Sequence, residues 1–403
     1  MSDDVTFTAG GTVAPGYEAV RAAFVEAQRA DKGGAQLCVY RHGERAVDLW
    51  AGRDPAGNRP YGEDTITVLM SCTKGVVACA VHMLADRGLI DLDAPMTRYW
   101  PQFGQAGKGE ITVRQALSHV GGLMGFDAEA GMGAAELFDH ARCVAEVEKM
   151  APLWEPGTAS MYHFVIFGTL AAELIRRVDG RSAGRFVAEE IAGPLDADLW
   201  IGLPADQEAR RAPHFNDGPQ ILLEQWRGVF AAAGADLEDR LVKAFLSTAM
   251  ATDTAIAQMN TSRAFRAAEL PAGNAIADAR ALAKIYAAMI GRVDGIRLLS
   301  REAMERARAP QTRSLGPPGE LAKLMRGEPQ PYGVGFELPS GVKPMLGPGS
   351  FGHAGAGGRM GFAHPESGFA VAYVCNTMLG NTPTAPDARW LGWTAALRQI
   401  AGL

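Results

Sequence analysis

Between residues 17 and 30, Tyr17, Val20, Phe24 and Ala27 recur at a helical period along "YEAVRAAFVEAQRA", which predicts an amphipathic helix. The pattern then changes to strands. "AQLCVY" and "RAVDLWAG" flank the polar "RHGE", so residues 35–52 read as a β-hairpin turning near Gly43. From Thr65 to about Pro310 the helical period dominates, as in "FVIFGTLAAELIRRVDG" and "ADARALAKIYAAMIGRVDG", each expected to end at its Asp-Gly. Strand patterning returns at "PYGVGFELP" and continues through "GRMGFAHPESGFAVAYVCN", with residues 365–368 as the turn, before a closing helix in "ARWLGWTAALRQIAGL".

Strands at both ends with helices between predict one antiparallel sheet assembled from the two chain ends, with a large, mainly helical region inserted. Residues 1–68 and 330–403 would form the α/β part, and 69–329 the helical part. The Pro/Gly-rich stretches at 314–319 and 339–349 read as surface loops.

Composition narrows the function classes. The 403 residues carry a net charge of −6 with scattered arginines, which leaves no electrostatic footprint for nucleic acid. "MSDDVTFTAGG" lacks the positive charge and apolar stretch of a secretory signal, and the longest apolar run, Val76 to Ala85, is too short to span a membrane. A soluble, cytoplasmic protein is the expectation. Five cysteines (Cys38, Cys72, Cys79, Cys143, Cys375) show no metal-binding spacing and read as reduced, packed thiols; no metal or cofactor is implied.

"LMSCTKGVVACAVHMLADRG" places Lys74 in an apolar run with Ser71 three residues earlier. Residues i and i+3 share a helix face, so a helix opening at Ser71 sets its hydroxyl beside the Lys74 ammonium. If buried, that ammonium becomes a usable general base. The bland alternative is a capping serine with a lysine reaching to the surface. Chance places an S-x-x-K in about one such chain in four, and the second instance, Ser340 to Lys343, lies between prolines where no helix aligns the pair. Tyr162 follows a Pro-Gly turn and precedes an apolar helix, a position that packing alone would explain. "SFGHAGAGGRMGF" is a glycine-rich strand edge, open to close approach by a ligand or simply a bulge.

Taken in order, "SCTK", "LSHVGGL", "EPGTASMY" and "GHAGAGG" resemble the serine β-lactamase and penicillin-binding-protein superfamily, most closely the class C β-lactamase-like branch that includes family VIII carboxylesterases. The resemblance spans most of the chain and implies a β-lactamase/transpeptidase-like fold. It implies Ser71 as nucleophile, Lys74 and Tyr162 as the proton-accepting pair, and the N–H groups of Ser71 and Ala356 as an oxyanion hole. His353, Gly355 and Phe164 would contact substrate. Two positions depart from the β-lactamase pattern: Tyr-x-Asn reads Tyr162-His163-Phe164, and Lys-Thr-Gly reads His353-Ala354-Gly355. Both point toward a small neutral ester as substrate. An amide hydrolase such as a D-aminopeptidase or β-lactamase, an acyltransferase, and a catalytically silent ligand-binding module remain alternatives. His119 and His82 read as structural, and Trp154, Trp390 and Trp393 as packing residues.

Overall fold

His42 and Gly43 both take positive φ, 52° and 86°, the combination that a two-residue hairpin turn requires. They join the first long hairpin in a computed structural model that describes residues 9–54, 59–217, 223–324, 330–379 and 385–403. The principal strands are β1 (Ala9–Val13), β2 (Gly34–Arg41), β3 (Glu44–Asp54), β4 (Phe351–Gly355), β5 (Arg359–His364) and β6 (Phe369–Cys375). They pair antiparallel in the order β1-β3-β2-β6-β5-β4, so β2 from one chain end lies beside β6 from the other. The sheet expected from the two ends is therefore present.

Alternation along β6 sorts its side chains to two faces. Phe369, Val371 and Tyr373 meet α1 (Glu18–Arg29) and α6 (Ala388–Ala401), where Phe24 and Trp393 fill the layer. Ala370, Ala372 and Val374 face the opposite way, and their small size admits α5 (Ala279–Ile290) close to the sheet through Leu282 and Tyr286. Next to α5 runs α2 (Cys72–Asp86), buried on nearly every side, with α3 (Ile166–Asp179) packed beyond it. Apolar residues all round make α2 a central helix between layers. A short sheet of Thr67–Val68, Ala275–Ala277 and Leu199–Ile201 leads into it. The helical span is not detached from the sheet, since α5 falls within residues 69–329 yet lies directly on it.

Two local expectations are corrected. α5 stops at Ile290, before the Asp-Gly pair; Gly291 opens the chain, and Asp294 and Gly295, both at positive φ, close a separate turn bridged by Val293 and Ile296. "PYGVGFELP" forms no continuous strand. Only Tyr332↔Glu337 and Glu337↔Gly352 pair, because Gly335 at φ 84° turns the chain tightly against Ala78 of α2. All five cysteines are free and buried. Among the described residues no helix is long and apolar enough to cross a membrane.

Trp393 is fully buried and stacks on Tyr373 at 6.0 Å, yet its indole N–H has no acceptor among the described residues. Trp393→Ala should cost about 3–5 kcal/mol in urea unfolding. Trp393→Phe should cost far less, because it removes an N–H that is already unpaired. Equal losses in the two variants would contradict this packing account.

Candidate active site

The chain enters α2 through Met70, a non-glycine residue at φ 51°. That left-handed kink is sterically costly, and the surrounding bonds hold it in place. Leu69 N donates to Ala275 O at 2.8 Å, and Thr73 Oγ1 donates to Met70 O at 2.7 Å while accepting Ala275 N at 3.0 Å. Thr73 thereby brackets the helix start against the short sheet. Ser71, next in line, is half-buried and makes no capping bond with its side chain. Its hydroxyl is left for other work.

Lys74 is only 2 % exposed, which rules out the snorkelling alternative. Its ammonium donates to Ser71 Oγ at 3.3 Å and to Ala272 O at 2.8 Å, and lies 4.9 Å from the Tyr162 ring centroid. Burial pushes its pKa down to about 7, against the opposing pull of Glu337 and Cys72. The Tyr162 hydroxyl is buried and faces Ser71 without the alignment of a regular hydrogen bond. Burial raises that phenol well above its usual pKa, and Glu337 adds to the rise, so it stays protonated at neutral pH. Ser71, Lys74 and Tyr162 thus lie together in the fold.

His119 sits behind the tyrosine at φ 63°. Its Nδ1 accepts the His163 N–H at 3.0 Å, and its ring packs 5.0 Å from Tyr162, which fixes the loop that carries the phenol. His163, between Tyr162 and Phe164, is fully buried and accepts Leu123 N at 3.3 Å. Phe164 is half-buried, 5.3 Å from Tyr162 and 5.7 Å from Phe245 of α4 (Arg240–Thr261) in ring separation, and its cluster includes Trp226 and Phe230. Trp154 donates to Ala159 O, a packing role, and His82 is a core histidine held by Val334 O at 2.8 Å.

On the other flank, β4 and the start of β5 are bound to α2 and to the strand that leads into it. Cys72 Sγ reaches His353 O at 3.1 Å, and Arg359 Nε donates to Val68 O at 3.2 Å. Gly355 lies so near that a Cβ there would stand 2.3 Å from Leu69 O. No larger residue fits this approach. The turn that follows is held from the far face of the sheet: Arg389 donates to Gly357 O at 2.6 Å and Trp390 to Gly358 O at 2.9 Å. Ala356 is half-buried beside this turn, and neither its N–H nor that of Ser71 has a backbone acceptor among the described residues.

His353 is 1 % exposed, its ring 6.0 Å from Tyr162. Burial lowers its pKa to about 4 against the pull of Glu337, so it is neutral at pH 7. It offers no fixed positive charge to a substrate. Ser340 and Lys343 form no second dyad: Ser340 donates to Gln330 Oε1, and Lys343 pairs with Glu337. Sequence reasoning missed the contacts of Arg389 and Glu337 because their spacing carries no motif, and those of Thr73 and Lys343 because the S-x-x-K pattern does not report them.

A family model described as Beta-lactamase matches residues 21–393. The Esterase/beta-lactamase LipL of Mycobacterium tuberculosis is 37 % identical over 382 residues, covering 92 % of this chain and 83 % of that protein. Among solved structures, a family VIII carboxylesterase superposes with a TM-score of 0.82 at 33 % identity, covering 97 % of this chain and 99 % of its own. A penicillin-binding-protein homolog from Caulobacter crescentus gives 0.80 at 33 %, covering 98 % and 100 %. With the match running through nearly the whole fold just described, the chain belongs to the beta-lactamase family.

Proposed function

We propose that the protein is a serine hydrolase that cleaves short-chain carboxylic esters through an acyl-enzyme on Ser71. The observation that carries this reading is the buried Lys74 ammonium 3.3 Å from Ser71 Oγ, in a setting that favours its neutral form. Neutral Lys74 takes the serine proton as Oγ attacks the ester carbonyl. The N–H groups of Ser71 and Ala356 receive the oxyanion. Tyr162, protonated and turned toward Ser71, passes its proton to the departing alcohol and is reprotonated by the Lys74 ammonium. Neutral Lys74 then takes a proton from the water that releases the acid and returns it to restore the Ser71 hydroxyl. Because Lys74 acts as a base, the rate falls as pH drops through about 7 and the ammonium becomes charged.

Neutral His353 and apolar Phe164 favour neutral esters over β-lactams, whose carboxylate finds no cation at His353. Hydrolysis of β-lactams is the second reading, supported by the name of the Mycobacterium tuberculosis relative.

A burst assay with p-nitrophenyl butyrate, read by intact mass, tests the nucleophile. Wild-type protein should gain one butyryl group on Ser71, and Ser71→Ala should lose both the adduct and turnover. Its stability should barely change, since Ser71 makes no capping bond. Turnover well above background in that variant would contradict the reading.

The ester preference has its own measure. A missing charged contact is worth roughly 1.5–3 kcal/mol, about one to two decades, and the ester's better leaving group adds to it, so kcat/KM for p-nitrophenyl butyrate should exceed that for nitrocefin by about a hundredfold. Equal rates would favour the β-lactam reading.

A further inference from the structure

Glu337 is a fully buried carboxylate that the reaction above does not use. It lies along the free edge of β4. Its backbone exchanges hydrogen bonds with Gly352, and its Oε2 accepts the Ala354 N–H at 2.8 Å. Gly352 and Ala354 are two residues apart on β4, so their N–H groups point to the same edge, and Ala356 follows in the turn just past the strand's end. Glu337 occupies both donors, two residues before the half-buried Ala356. The same carboxylate lies 3.9 Å from His353 Nδ1, and its other oxygen is paired with Lys343, whose side chain reaches partly to solvent.

We propose that Glu337 is a positioning residue: it fixes the edge of β4 that presents Ala356, and together with Lys343 it sets the charge felt by Lys74 and His353. This rests on the serine-hydrolase reading. A buried ion pair is weak as a stabilising device, because desolvation offsets much of the attraction. Its location is what matters here. Lys74 meets Ser71 on its own helix and the Tyr162 ring from the neighbouring loop, and the other titratable groups that interact with its charge are Cys72, Glu337, Lys343, His119 and His353. Glu337 favours the charged form of Lys74, and Lys343 opposes it.

The signs follow from Coulomb's law. Glu337→Gln keeps an acceptor for Ala354 while removing the negative charge, so Lys74 loses its proton more readily. The acid limb of kcat/KM for p-nitrophenyl butyrate should move down by about half to one pH unit. Lys343→Met removes the opposing cation, and the limb should move up by about as much. A purely structural ion pair would lower the melting temperature in both variants and leave the limb in place.

The experiment is therefore the pH profile of the wild type and both variants from pH 5 to 9, with melting temperatures alongside. Opposite displacements support the proposal. Unmoved limbs, or displacements of the same sign, overturn it. If Glu337→Gln does not fold, Lys343→Met decides alone: an upward shift supports the proposal and an unchanged limb overturns it. A wild type that never acylates overturns the esterase reading and this proposal together, whereas an active wild type with unmoved variants overturns this proposal only.

Discussion

Burying one ammonium is the constraint on which the rest of this structure depends. Lys74 is enclosed within the layer between sheet and helices, where its direct hydrogen bonds go to one carbonyl, Ala272 O, and one hydroxyl, Ser71 Oγ. A drop in pKa from 10.5 to about 7 corresponds to about 4–5 kcal/mol of lost folding stability at neutral pH. The sign is that of a lysine whose folded pKa is depressed: the cost builds as pH falls from 10.5 toward 7 and levels off below. In the proposed reaction this cost is what makes Lys74 a usable base.

The neighbouring elements can be understood as what holds that arrangement in register. Thr73 and Ala275 secure the strained turn at Met70, so Ser71 emerges at the mouth of α2. Gly355 lets β4 close on Leu69, and Arg389 and Trp390 reach through from α6 to brace the turn at 357–358. A helix on the outer face of the sheet thus bears on the site without touching its reacting atoms. His119 does the equivalent for Tyr162.

Much of this was legible in the sequence, and the reasons are physical. The sheet from two chain ends follows from period-two runs at 35–52 and 359–375, and Ser71 with Lys74 follows from helical spacing in an apolar run. "PYGVGFELP" misled because side-chain patterning does not register the backbone turn at Gly335. The end of α5 misled because Asp-Gly marks a turn wherever it falls, and Gly291 had already ended the helix. Glu337 and Lys343 were invisible for a different reason. Glu337 is bound to β4 and Lys343 to Glu337, contacts that no local spacing encodes.

The central claim is that burial lowers the Lys74 pKa to about 7, and direct titration of its side chain tests this without recourse to turnover. The chain holds eight lysines, so a protein labelled with nitrogen-15 at the lysine side chains gives a countable set of signals. The signal lost in Lys74→Arg identifies the residue and separates it from Lys108, which burial lowers to about 8. The account predicts that this signal titrates near pH 7. A midpoint near 10, in the range of exposed lysines, would contradict it.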